Sequence, residues 1–136
     1  MMPNEKGAVP VNLEDIKQPY SLEAEQSVLG SILIDPQCLY QVLEVLKPQY
    51  FYLPQHREIF TTMVSMFSQS SAIDIVTLLD ELKANGVYDE AGGKAYLLQL
   101  AEVVPSVANV MAYAKIVQDK YFLRSLINAS KEIIAS

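Results

Sequence analysis

The sequence predicts an all-α fold: a compact orthogonal bundle of about five helices followed by one long C-terminal helix. Three observations carry this expectation. Apolar residues recur at three- and four-residue spacing from Leu22 to Leu100. Proline, glycine, Asp and Asn punctuate that pattern often enough to delimit helices of a few turns. Residues 106–136 contain neither glycine nor proline, so no helix breaker interrupts them.

The elements follow in order. Residues 1–18 mix Pro, Gly, Asn and charges without periodicity and are expected to form a flexible tail. Ser21 is placed to cap a first helix, with Glu23 and Glu25 in the first turn, where the helix dipole favours carboxylates, and Leu22, Leu29, Ile32 and Leu33 along it. Asp35-Pro36 starts a second helix with Leu39, Val42, Leu43 and Leu46 on one face, and Lys47-Pro48 stops it. Residues 50–53, Tyr-Phe-Tyr-Leu, are strand formers. They are too few and too close to Pro54 for a strand, and read as an aromatic turn. A third helix spans about 55–69, with Ile59, Phe60, Met63, Val64 and Phe67 inward. Asp74 caps a fourth, carrying Ile75, Leu78, Leu79 and Leu82, and Asn85-Gly86 closes it. Gly92-Gly93 opens a fifth with Tyr96, Leu97 and Leu100. Pro105 then leads into the long helix, so the organisation is tail 1–18, helical body 19–104 and long helix 105–136.

On a wheel at 100° per residue the long helix is unusual. Ile116, Leu123, Ile127 and Ile134 form one column, and Phe122, Leu126, Ala129 and Ile133 form the next. Together they make an apolar arc of roughly 160°, wider than one packed face requires. Such an arc calls for a cover: a partner, another copy, or more of the same chain.

Composition bounds the function. A chain of 136 residues suits one domain with a sizeable core. No apolar run approaches the ~20 residues of a membrane span, and the N-terminus lacks a basic stretch leading into an apolar one. Cys38 stands alone, which fits a reducing compartment, and a cytoplasmic location is expected. The net charge of −6 argues against a phosphate-binding footprint. Residues 1–104 carry 6 basic and 14 acidic side chains (−8), whereas residues 105–136 carry 4 and 2 (+2). Lys115, Lys120, Arg124 and Lys131 are expected mainly on a solvated face of the last helix.

The search for chemistry is negative. One histidine, His56, and one cysteine make no zinc ligand spacing, and His56 reads as a capping or packing residue. Gly92-Gly93-Lys94 lacks the spacer and the following Ser or Thr of a phosphate loop. Asp80-Glu81 and Asp89-Glu90 are adjacent pairs that point to different helix faces, not acid/base dyads. No catalytic residue, metal or cofactor is expected in this chain.

The specific signal is the order of local motifs. The string Pro19-Tyr20-Ser21-Leu22-Glu23-Ala24-Glu25-Gln26-Ser27-Val28-Leu29-Gly30-Ser31-Ile32-Leu33-Ile34-Asp35 resembles the opening of the N-terminal domain of DnaB-type replicative DNA helicases. In that family's order follow Phe51-Tyr52, His56 with Ile59-Phe60, Ile73-Asp74-Ile75-Val76-Thr77-Leu78, Gly92-Gly93 with Tyr96-Leu97, and Val104-Pro105-Ser106 with Asn109. Tyr113-Ala114, Ile116-Val117 and Leu123-Arg124-Ser125-Leu126-Ile127 complete the set, which covers about residues 19–135. The resemblance implies a domain that pairs with other helicase subunits in a hexameric ring and docks primase, with a helicase loader as a further partner and no membrane. The ATP and Mg chemistry belongs to a motor domain whose Gly-x-x-x-x-Gly-Lys-Ser/Thr loop is absent here, so the chain looks like an excised N-terminal domain. It also implies that the long helix is the first arm of a subunit-pairing hairpin, with Ile116, Phe122, Leu123, Leu126, Ile127 and Ile134 at the subunit interface. Glu23, Tyr96, Ile127 and Ile133 are the expected primase-docking residues. The alternative reading is a single-stranded nucleic-acid binder using the four basic residues of the last helix. The acidic remainder and the lack of an aromatic stacking platform weigh against it.

Overall fold

The computed structural model describes residues 17–135. Most of the expected tail, residues 1–16, lies outside the described residues. Six α-helices and three short 3-10 turns account for the described fold, with no strand among the described residues. It is the all-α architecture the sequence predicts.

The first helix, α1 (Leu22–Ile34), is the centre of the molecule. Its N-cap is Ser21, whose hydroxyl accepts from the Ala24 amide at 3.1 Å. Residues 24–32 are all buried, polar ones included, because other helices cover the element on several sides. Glu25 is among them, so one of the two expected first-turn carboxylates lies inside the bundle. Gly30 marks the closest approach to α5 (Glu90–Val103): a Cβ there would lie 2.1 Å from the Leu100 carbonyl oxygen. Only glycine lets the two backbones come this near.

Asp35 caps a 3-10 turn at Pro36–Cys38, which runs into the short α2 (Leu39–Val42). The second helix therefore ends a turn earlier than expected, and Leu43 is partly exposed while Leu46 is buried. Pro48 holds Lys47 in extended backbone (φ −125, ψ 158), so the chain leaves helical geometry before it. A 3-10 turn at Pro48–Tyr50 and the fully buried Phe51 form the expected aromatic turn. The third helix, α3 (Pro54–Ser68), starts on its proline and buries Ile59, Phe60 and Met63.

Helix α3 ends on a Schellman motif in which Ser71 N bonds Met66 O and Ser70 N bonds Phe67 O, forcing Ser70 to φ 58. The fourth helix, α4 (Ile75–Ala84), carries a full capping box between Asp74 and Thr77. It stops on the same motif, this time with Gly86 at φ 74. Helix α5 starts before the glycine pair that seemed to open it. Asp89 accepts from the Gly92 amide at 2.7 Å, a side-chain cap strong enough to start the helix at Glu90. A 3-10 turn at Val107–Asn109 precedes the last helix, α6 (Val110–Ala135), which begins at Val110 rather than Ser106 because Ser106 is extended (φ −164, ψ 121). The chain turns by 86° between α5 and this last segment, which gives the bundle its orthogonal corner.

Candidate functional site

Helix α6 is packed on one side and apolar on two. Its buried residues are Val110, Ala114, Val117 and Arg124, with Tyr121 half-buried in the same row. At 100° per residue these five fall within about 80° of one another. The apolar arc is centred about 180° away, where most of its side chains are exposed, although the Phe122 ring meets Tyr50 edge-on. The arc's exposure is greatest near the end of the helix: 50% at Phe122, 65% at Leu126, 75% at Ile133 and 68% at Ile134. Ile116 and Leu123 are also exposed, and Ile127 is half-buried. Arg124 is the last buried residue of α6, and the eleven residues beyond it extend roughly 16 Å at 1.5 Å per residue.

Arg124 is where sequence and structure part most clearly. It is not on a solvated face. Its guanidinium donates to Pro19 O at 2.8 Å and to Tyr50 O at 2.7 Å, and it lies over the rings of Tyr52 and Tyr121. Burial lowers its pKa from the usual arginine value, opposed by the negative charge of Glu25. Aromatic side chains therefore do gather here, contrary to expectation, but they stack on one another and on Arg124: Tyr20 on Tyr52, and Tyr50 on Tyr121. Of the other basic residues, Lys115 pairs with Asp119 at 3.0 Å on the exposed surface.

The other feature missed in the sequence is a buried polar chain linking α1, α3 and α5. Both Glu25 oxygens are used: Oε2 accepts from the Tyr52 amide at 2.7 Å, and Oε1 from the Leu53 amide at 3.4 Å and from His56 Nδ1 at 2.7 Å. A carboxylate only accepts, so Nδ1 carries the hydrogen. In the neutral ring Nε2 then accepts from the Tyr96 hydroxyl, 2.5 Å away. Gln26 Nε2 donates to the same hydroxyl at 3.3 Å. Burial pushes the Tyr96 phenol above its ordinary pKa, against the Gln26 hydrogen bond and with the Glu25 charge. A phenol held in its neutral form suits a tie between helices better than a nucleophile. The signal was present: Glu25 falls four and seven residues before Leu29 and Ile32, and Arg124 falls seven after Val117, so both charges sit in buried phase.

The expected docking residues are placed as follows. Glu23 is exposed in the first turn of α1, one turn from Gln26 and so from Tyr96, which is half-buried. Ile127 lies one turn beyond Arg124, whose bond to Pro19 sets it at the same end of the bundle as Glu23. Ile133 lies farther out on the projecting part. Among the described residues no group of three or more His, Cys, Asp or Glu side chains could hold a metal ion, and no single helix is long and apolar enough to cross a membrane.

A compact helical body carrying a long helix with an exposed apolar side defines the class of the chain as an all-α module. The family pattern of the DnaB-like helicase N terminal domain matches residues 17–119, and the chain belongs to that family. It is 41% identical to the replicative DNA helicase DnaB of Pasteurella multocida over 98% of this chain and 27% of that protein. It is 43% identical to the replicative DNA helicase DnaB of Geobacillus stearothermophilus over 85% of this chain and 25% of the other. The chain thus spans about a quarter of the length of these relatives. The crystal structure of the N-terminal domain of DnaB helicase from Mycobacterium tuberculosis matches with a TM-score of 0.83 and 36% identity, over 88% of this chain and 86% of that one.

Proposed function

We propose that this chain is the N-terminal domain of a cytoplasmic replicative DNA helicase and that α6 is an assembly arm pairing it with other subunits of a hexamer. In this reading Ile116, Phe122, Leu123, Leu126, Ile127 and Ile134 face the neighbouring subunit. Glu23, Tyr96, Ile127 and Ile133 contribute a surface for primase, and a helicase loader is a further partner. ATP and Mg act in the part of the relatives that this chain does not span, and the domain itself carries no catalytic step. The observation that carries the proposal is the second apolar side of α6. Leaving several large apolar side chains in water forfeits about 1.5–3 kcal/mol each relative to burial, and a contiguous exposed patch of this kind marks an interaction site.

The burial of Arg124 and the pairing of Lys115 with Asp119 disfavour the nucleic-acid alternative, since two of its four cations are already engaged. The test is Phe122→Asp or Ile127→Asp, followed by sedimentation and by primase binding. The expected result is a mass nearer the monomer, or loss of primase binding, with the helical spectrum intact. Unchanged mass and unchanged primase binding would defeat the proposal. Tight binding of single-stranded DNA that falls steeply with salt would favour the alternative instead.

A further inference from the structure

We propose that residues 17–21 are a strap that fixes the direction of α6, with Arg124 as the fastening. These residues run without helical structure before α1. The Pro19 carbonyl of the strap takes one hydrogen bond from the Arg124 guanidinium, and the Tyr50 carbonyl takes another. Tyr20 stacks on Tyr52 at 4.3 Å between ring centroids, and the Arg124 guanidinium carbon lies over Tyr52, 5.2 Å from its centroid. The same carbon lies 5.8 Å from the Tyr121 centroid, and Tyr121 is stacked on Tyr50 at 4.2 Å. The result is an aromatic cluster of two stacked pairs, Tyr20–Tyr52 and Tyr50–Tyr121, that meet at the Arg124 guanidinium and join the strap, the turn before α3 and α6.

Its position makes it a conformational device rather than more core. It closes over Arg124, the last buried residue of α6 after Val110, Ala114 and Val117, so it anchors the turn from which the projecting part leaves the body. Tyr20, its outermost layer, is 41% exposed, so the strap can lift without opening the apolar core. A planar fork with two carbonyl partners and two aromatic faces is specific to arginine; a lysine supplies the charge but not the geometry. Anything that draws residues 17–20 away from α6 therefore loosens its last anchored turn, while Val110, Ala114 and Val117 stay packed. The inference rests on the reading of α6 as an assembly arm for its purpose. Its readout is the direction of the arm within one molecule, which needs no partner, so the two can fail separately.

The experiment uses the full 136-residue chain with Cys38→Ala and dye-labelled cysteines at Gln69 and Ser130, both exposed, at concentrations where molecules are alone. The parent protein is expected to give one narrow energy-transfer distribution. Tyr20→Ala and Arg124→Lys should each shift and broaden it while circular dichroism stays helical. A parent-like distribution in Tyr20→Ala overturns the strap, as does a broad distribution in the parent itself. If Arg124→Lys unfolds the body, Tyr20→Ala still decides, because truncating an exposed ring leaves the core in place.

Discussion

Helices α1 and α6 are both rich in apolar residues, yet one is enclosed and the other is half abandoned to solvent. In α1, nine consecutive residues are buried whichever way they point; in α6, four of 26 are. An enclosed helix has no solvent side on which to place its polar groups, so each must find a partner inside. Glu25 meets two backbone amides and His56, Gln26 meets Tyr96, and Ser31 donates to Ser27 O at 2.7 Å. In α6 the relation is reversed: one arginine is drawn in, and six large apolar residues stay out. The contrast teaches that burial follows the surroundings of a helix, and that the side of α6 with more apolar residues is the side left in solvent.

If that contrast is right, the largest loss comes from breaking a polar tie of α1. Glu25→Ala leaves two amides and the His56 ring without their buried acceptor and should destabilise the body by about 3–5 kcal/mol in chemical denaturation. A small effect would mean that α1 is less enclosed than its burial implies. The core should also respond to alkali. Burial and the nearby Asp35 raise the Cys38 thiol from 9.0 to about 11. The folded state thus holds its proton over a range where the unfolded state releases it. This contribution to stability is fully present below about pH 9 and is lost as pH rises towards 11, and Cys38→Ala should flatten that slope in urea titrations. A smaller gain is expected at the end of α3, where Ser70 occupies the left-handed geometry that Gly86 fills at the end of α4. Ser70→Gly should raise stability by about 0.5–1 kcal/mol, read as a higher melting temperature. The smallest change belongs to the arm. Leu126→Asp, at a side chain 65% exposed, should alter the stability of the isolated molecule by no more than about 0.5 kcal/mol, even where it abolishes assembly.

Much of the fold was legible because its boundaries are set by local chemistry. Ser21, Asp74 and Asn85-Gly86 cap helices through bonds made within a few residues, and the structure uses each. Asp89 acts equally locally, but the glycine pair after it looked like the stronger signal. The misread charges have a different cause. Arg124 is buried by a carbonyl 105 residues away and a ring 72 residues away, and Glu25 by amides 27 and 28 residues on. Partners at such separation leave no trace in local spacing beyond the phase of the charged residue itself. The apolar arc was visible because a helix face is a local property. What covers it is not.

Amide hydrogen exchange along α6, measured at low and high protein concentration, tests the central claim most directly. Residues 110–124, packed on the body, should be protected at both concentrations. Beyond Arg124, protection should be weak in the dilute monomer and rise with concentration, or on adding primase, as the apolar arc is covered. Equal protection of both halves in the dilute monomer, or rapid exchange beyond Arg124 under every condition, would contradict the reading of α6 as an assembly arm.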